Sequence, residues 1–169
     1  MSSSQVELAR KTIEAYIKEG TMIEPPRDLA TELKERAGVF VSIHKGTSLR
    51  GCIGTFLPTQ ENIAQEIIHN AIEAATRDPR FSPITDDELS QLNISVDVLT
   101  SPVPVKDMNE LDAKKYGIIV SCRGRRGLLL PDLEGVDTPQ QQIEICRRKA
   151  WIDDNEPVAI EKFLVKRYH

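Results

Sequence analysis

The stretch GVFVSIHKGTSLRGCIGTF, residues 38–56, decides the fold. Val39, Val41 and Ile43 alternate with Phe40, Ser42 and His44, which is the period of a half-buried strand. A turn around Gly46 leads into a second extended run over 49–56, so the two runs read as a β-hairpin. Two registers are open, and a slip of one residue exchanges the faces. With Val41 opposite Ile53, the apolar side chains gather on one face, leaving Ser42, His44, Arg50 and Cys52 on the other. The alternative buries the Arg50 guanidinium among aliphatic side chains at real cost. The first register is therefore the expected one, and it creates a polar face that carries chemistry.

Outward from this hairpin, helical and extended segments alternate. Val6, Ala9, Ile13, Tyr16 and Ile17 stand at helical spacing over 6–19, and Gly20 is the stop. The broken run IEPPRD follows, with Asp28 placed to cap a short helix over 29–36. Thr59 is the expected N-cap of a helix over 60–76, with Glu61 in its first turn. Ile63, Ile67, Ala71, Ala74 and Ala75 give that helix a stripe of small apolar residues suited to close approach to a sheet. Pro79 ends it. Residues 92–98 alternate again, with Leu92, Ile94, Val96 and Val98 on one face. A long loop over 102–116 leads to a second hairpin, GIIVSC and LLLP joined by the turn RGRRG. Thr138 and Pro139 open a helix that closes on Arg147, Arg148 and Lys149, and the tail EPVAIEKFLVKRYH reads as one final strand near a sheet edge. Strands joined as hairpins make the sheet mainly antiparallel. The fold class is α+β, in a single domain over 1–169.

Composition narrows the function classes. The net charge of −4 speaks against a protein that coats nucleic acid, since phosphate binding wants a basic surface. No apolar run approaches the roughly 20 residues a membrane helix needs, and the opening MSSSQVELARK lacks the apolar core of a secretory signal. Cys52, Cys122 and Cys146 are odd in number and form no CxxC pair, which supports neither a disulfide framework nor a metal site. A reducing cytoplasm is the expected location. No cofactor motif is present.

Cys52 is the candidate catalytic residue. A thiol beside Arg50 has its thiolate stabilised, and Gly51 and Gly54 let a ligand or a second backbone come close to the sulfur. Ser42 and His44 complete the face as candidate ligand-binding residues. The competing reading makes Cys52 a small packing residue, with Arg50 bonded to a carboxylate elsewhere. Arg123, Arg125 and Arg126 crowd one turn and are candidates for binding an anion, or else a solvated hairpin tip. Asp78, Arg80 and Phe81 form a support: an Asp–Arg lock beyond the helix, with Phe81 buried as its anchor. Cys122 and Cys146 read as core, His69 as a half-exposed helix residue, and His169 carries no signal.

LRGCIGTF at 49–56 resembles the signature of the AMMECR-one domain family. The likeness runs in order through LARKTIEAYIKEG, GVFVSIHKG, AIEAATRDPRFSPIT, ISVDVLTSPVPV and RGRRGLLLP. Arg50, Gly51, Cys52, Ile53 and Gly54 match it residue by residue, as do Arg77, Asp78, Pro79, Arg80 and Phe81. His44 lies outside the pattern, and 132–139 is shorter than usual. The resemblance implies an antiparallel sheet ringed by helices, with a larger and a smaller lobe. It also implies a cytosolic protein whose genomic neighbours or fusion partners are Memo-like and radical S-adenosylmethionine proteins. It implies no reaction, so two functions stand side by side. One is a ligand or catalytic pocket at 50–54 using the thiol on a small anionic substrate. The other is a non-catalytic module that docks on such a partner.

Overall fold

The computed structural model describes residues 1–169, which divide into two compact units: Met1–Leu99 with Lys166–His169, and Thr100–Val165. The first, larger unit opens with helix α1, Ser4–Glu19, capped by the Ser3 hydroxyl and closed by Gly20 in the left-handed region at φ 67°. Strands β1, Val39–Lys45, and β2, Ser48–Thr55, form the hairpin. Helix α2, Ile63–Thr76, and strand β3, Leu92–Leu99, follow. The second unit holds β4, Val103–Pro104, β5, Gly117–Cys122, β6, Arg125–Leu129, α3, Pro139–Lys149, and β7, Ala159–Phe163. Strand β8, Val165–Tyr168, ends the chain.

Two four-stranded sheets result, ordered β2-β1-β3-β8 and β4-β7-β5-β6, with antiparallel pairing at β1–β2, β1–β3, β4–β7, β5–β6 and β5–β7. The α+β class and the larger and smaller lobes agree with the sequence reading. The tail differs from it. It is two strands in two sheets, broken at Leu164, whose N–H bonds the Thr100 hydroxyl and whose carbonyl accepts from Thr100 N. That pinned bend is a tertiary event, invisible to a local pattern that is extended on both sides.

Val41 faces Ile53 and Ser42 faces Cys52, the register that segregates the two faces. Val39, Val41 and Ile43 are fully buried with Ile94 and Val96 against Ile13, Ile67 and Ala71 of the two helices. The small stripe of α2 allows a close approach. An added Cβ on Gly51 would stand 2.2 Å from the Ala74 carbonyl oxygen, so the helix backbone occupies the space where a side chain would lie. The start of α2 is later than the sequence suggested. The buried Glu66 carboxylate collects Thr59 N–H, the Thr59 hydroxyl and Gln60 N–H, which holds those residues out of the helix. Asn62 is then the cap, accepting from Gln65 N. The short helix over 29–36 shrinks to a single 3-10 turn at Thr31–Lys34, with no side-chain cap from Asp28.

The expected outcome for Gly51→Ala is a fold destabilised by about 1–3 kcal/mol or more, because backbone rather than a flexible side chain must yield. Urea denaturation checks it. A variant as stable as the parent would mean that α2 does not seat on β2 as described.

Candidate functional site

β2 is an edge strand, and an open edge is an invitation to pair with another chain unless it is covered. The chain covers it with the loop after α2. The Asp78 carboxylate accepts the Cys52 N–H at 3.0 Å, while an Arg80 terminal nitrogen donates to the Cys52 carbonyl at 3.3 Å. Asp78 and Arg80 are themselves forked together through Nε at 3.0 Å and Nη2 at 2.8 Å. The two side chains do for the Cys52 peptide what a neighbouring strand would do. Asp78 is 2% exposed, whereas Arg80 remains 56% exposed. The Arg80 guanidinium holds the Asp78 carboxyl far below the usual carboxylate range against the opposing push of burial, with the Cys52 N–H assisting. In return, Asp78 raises the pKa of Arg80.

Asp78 and Arg80 pair with each other, and Phe81 is not the buried anchor of their loop. Phe81 is only half-buried and lies under the Arg80 guanidinium, 5.4 Å from ring centroid to cation. Ile84 is the buried apolar residue of the loop, and its N–H bonds the Ala75 carbonyl. The larger side chain drew the sequence reading, yet the shorter one lies where the loop turns back to the core.

Arg50 is placed differently from expectation. The register shift in β2 makes Arg50 the extra residue of a bulge, between Gly51 opposite Ile43 and Leu49 opposite His44. Its guanidinium grips Glu88 through Nε at 2.9 Å and Nη2 at 3.1 Å, and donates to the Ser82 and Pro83 carbonyls. The arginine is thus fully engaged in fastening the loop. Arg50 holds Glu88 down at about 2 despite burial, with Thr85 adding hydrogen bonds to the same carboxylate. Gly54 is explained by packing as well, since an added Cβ would strike the Phe40 ring at 2.2 Å. The two glycines admit a helix backbone and an aromatic ring, not a ligand.

What remains on the face away from the helices is a row across three strands. Cys52 lies opposite Ser42, and Ser42 lies opposite Ser95. The Ser42 Oγ and Cys52 Sγ are 3.3 Å apart, and all three residues are half-buried. The next row is Gly54, Phe40 and Asp97, and the buried Asp97 is bridged to Arg167 at 2.7 and 2.8 Å. On the other side of the cysteine row, His44 stands between Leu49 and Asn93. Ser95, Asn93 and Arg167 escaped the sequence reading. Ser95 and Asn93 were legible as the polar positions of β3, but only the β1–β3 register shows that they continue the Cys52 face.

The arginine turn does not assemble as an anion cradle. Only Arg123 and Gly124 form the turn, both at positive φ, and Arg125 and Arg126 are strand residues paired with Cys122 and Ser121. Alternation sends those two guanidiniums to opposite faces. Arg125 is spoken for by Glu156 at 2.6 Å and by the carbonyl of Trp151, an exposed tryptophan at φ 58°. Cys122 and Cys146 are buried and free, and burial pushes the Cys146 thiol up to about 11. No group of three or more His, Cys, Asp or Glu side chains converges as a metal site. No helix is long and apolar enough to cross a membrane.

These features define an α+β protein whose distinguishing part is a thiol-bearing edge strand closed by an Asp–Arg clamp. The AMMECR1 family model matches residues 6–169, and the chain belongs to that family. A protein of Thermotoga maritima is 53% identical over 166 residues, spanning 96% of this chain and 95% of its own length. A protein of Clostridium acetobutylicum is 50% identical over 165 residues, 96% of this chain but 35% of that longer protein. The crystal structure of an uncharacterized protein from Pyrococcus horikoshii is similar at a TM-score of 0.86 and 33% identity, covering 96% of this chain and 88% of that one.

Glu88 gives a pH test of the Arg50 lock. Its pKa is depressed in the fold, so its stabilisation is present above the ordinary value of 4.5 and is lost as pH falls toward about 2. Glu88→Gln should cost about 1–3 kcal/mol at neutral pH. It should also flatten the acid branch of the stability profile in that window, as read by urea denaturation at several pH values. Wild type and variant running parallel down to the lowest pH would contradict the lock.

Proposed function

We propose that the Cys52–Ser42–Ser95 row is the working surface of this protein, a thiol-dependent site for a small anionic substrate. The observation that carries the reading is the contrast between Cys52 and its surroundings. Its peptide is clamped on the outer side by Asp78 and Arg80, while its half-buried sulfur has the Ser42 hydroxyl as its hydrogen-bonding partner.

The roles follow from the contacts. Cys52 is the nucleophile or redox group, and Ser42 is its hydrogen-bonding neighbour. Arg80 takes the place first considered for Arg50, because its partly exposed guanidinium lies beside the Cys52 carbonyl while Arg50 is consumed by the loop. A fixed backbone and an exposed guanidinium beside the thiol suit the capture of an anionic substrate. The site works in the cytoplasm, where a thiol stays reduced. The arrangement also suits a partner's backbone laid along the face. On that second reading, Memo-like or radical S-adenosylmethionine proteins are the partners, and Cys52 is a contact residue.

Iodoacetamide labelling near neutral pH, followed by mass mapping, separates the readings. Cys52 should be alkylated more than about tenfold faster than Cys122 or Cys146, both of which are shielded by the core. Equal rates at all three cysteines, or labelling of Cys52 only on unfolding, would remove the thiol role and leave docking as the function.

A further inference from the structure

We infer that the ligand of this face carries a phosphate monoester, bound in a depression about 10 Å from the thiol and separate from the Arg50 and Arg123–Arg126 positions first considered, where the two strand spacings set the distance. This rests on the reading of Cys52 as the working group and adds what the ligand is and how it lies.

The depression has a volume of about 240 Å³ and is lined by His44, Gly46, Asn93, Ser95, Arg167 and His169. Besides Arg167, whose guanidinium is held by Asp97, its polar side chains are two imidazoles, a carboxamide and a hydroxyl. Asp97 lies on the same face but is buried and already bridged to Arg167. His44 meets Leu49 on the β2 side and Asn93 on the β3 side, neither of them acidic. Lys45, the next residue of β1, bridges to Glu88 at 3.6 Å. The end of β8 is held in place because the Ser3 N–H donates to the His169 carbonyl at 3.2 Å. A phosphate monoester presents three terminal oxygens to these side chains, one more than a carboxylate.

Ser95 connects the depression to the thiol. It lines the cavity and also heads the row Ser95–Ser42–Cys52. Adjacent strands are about 4.8 Å apart, so two spacings separate Ser95 from Cys52 by about 10 Å. A small phosphorylated molecule of that length reaches both, with its phosphate among the donors, its polar body on the Ser95 and Ser42 hydroxyls, and its reacting end at the sulfur. A bare inorganic anion fills only the first part.

The test is a titration of the intact chain with orthophosphate. The imidazole signals of the three histidines are followed by NMR. His44 and His169 should move together along one saturating curve. His69, which lies in a different cavity with Met22 and Gln65, should stay still. Asn93→Asp places a negative charge at an exposed position of the depression and should weaken phosphate binding by about tenfold or more. Acetate should saturate only at higher concentration. An absence of movement, equal drift of all three histidines, indifference to Asn93→Asp, or acetate binding as tightly as phosphate each overturns the proposal. Cys52 alkylation, measured on the same samples, keeps the two readings apart. Phosphate binding with an inert Cys52 retains the phosphate site and removes the thiol chemistry. A reactive Cys52 without phosphate binding does the reverse.

Discussion

The Cys52 peptide group sits on an open sheet edge, and its two hydrogen-bonding groups have to be satisfied without a further strand. The Asp78 carboxylate and the Arg80 guanidinium meet that requirement together, one accepting and one donating. Much of the larger unit is arranged to make this possible. The loop that carries both residues must leave α2 and turn back along β2 within a few residues. Pro79 and Pro83 limit its freedom, Ile84 fixes its return to the core, and Arg50 fastens its far end through Glu88 and two carbonyls. For the loop to reach the edge at all, α2 must lie almost on the strand, which is why Gly51 can carry no side chain.

One compact motif therefore does several structural tasks at once. In RGCIG, Arg50 holds the loop, Gly51 admits α2, Ile53 faces Val41 and Gly54 receives the Phe40 ring. Cys52 is the exception. Its backbone is used by the clamp, but its side chain is given to the polar face, where it hydrogen-bonds with Ser42. The functional reading rests on that division between a committed backbone and an uncommitted sulfur, and it is sharper than the flanking residue types alone suggest.

The hairpin register was legible in the sequence because one alternative would have buried a guanidinium among valines and isoleucines. The ends of α1 and α3 were legible because Gly20, Thr138 and Pro139 act through their own backbone chemistry. What escaped depended on partners distant in the chain. Arg50 looked available until Glu88, 38 residues on, was placed against it. Thr59 looked like a cap until Glu66 drew it out of the helix. The cluster Arg123, Arg125 and Arg126 looked convergent in one dimension, but the pleat of β6 separates the latter two. Ser95 and Asn93 joined the site only through cross-strand pairing, which no local pattern records.

Asp78 and Arg80 act as the missing strand for Cys52, and amide hydrogen exchange reads this directly at one N–H. In the wild-type protein the Cys52 amide should exchange slowly, with protection comparable to the paired amides of β1 and β3. Asp78→Asn should accelerate Cys52 selectively, leaving those interior amides protected. A Cys52 amide that exchanges as freely as an open edge in the wild type, or one whose protection survives Asp78→Asn unchanged, would contradict the account.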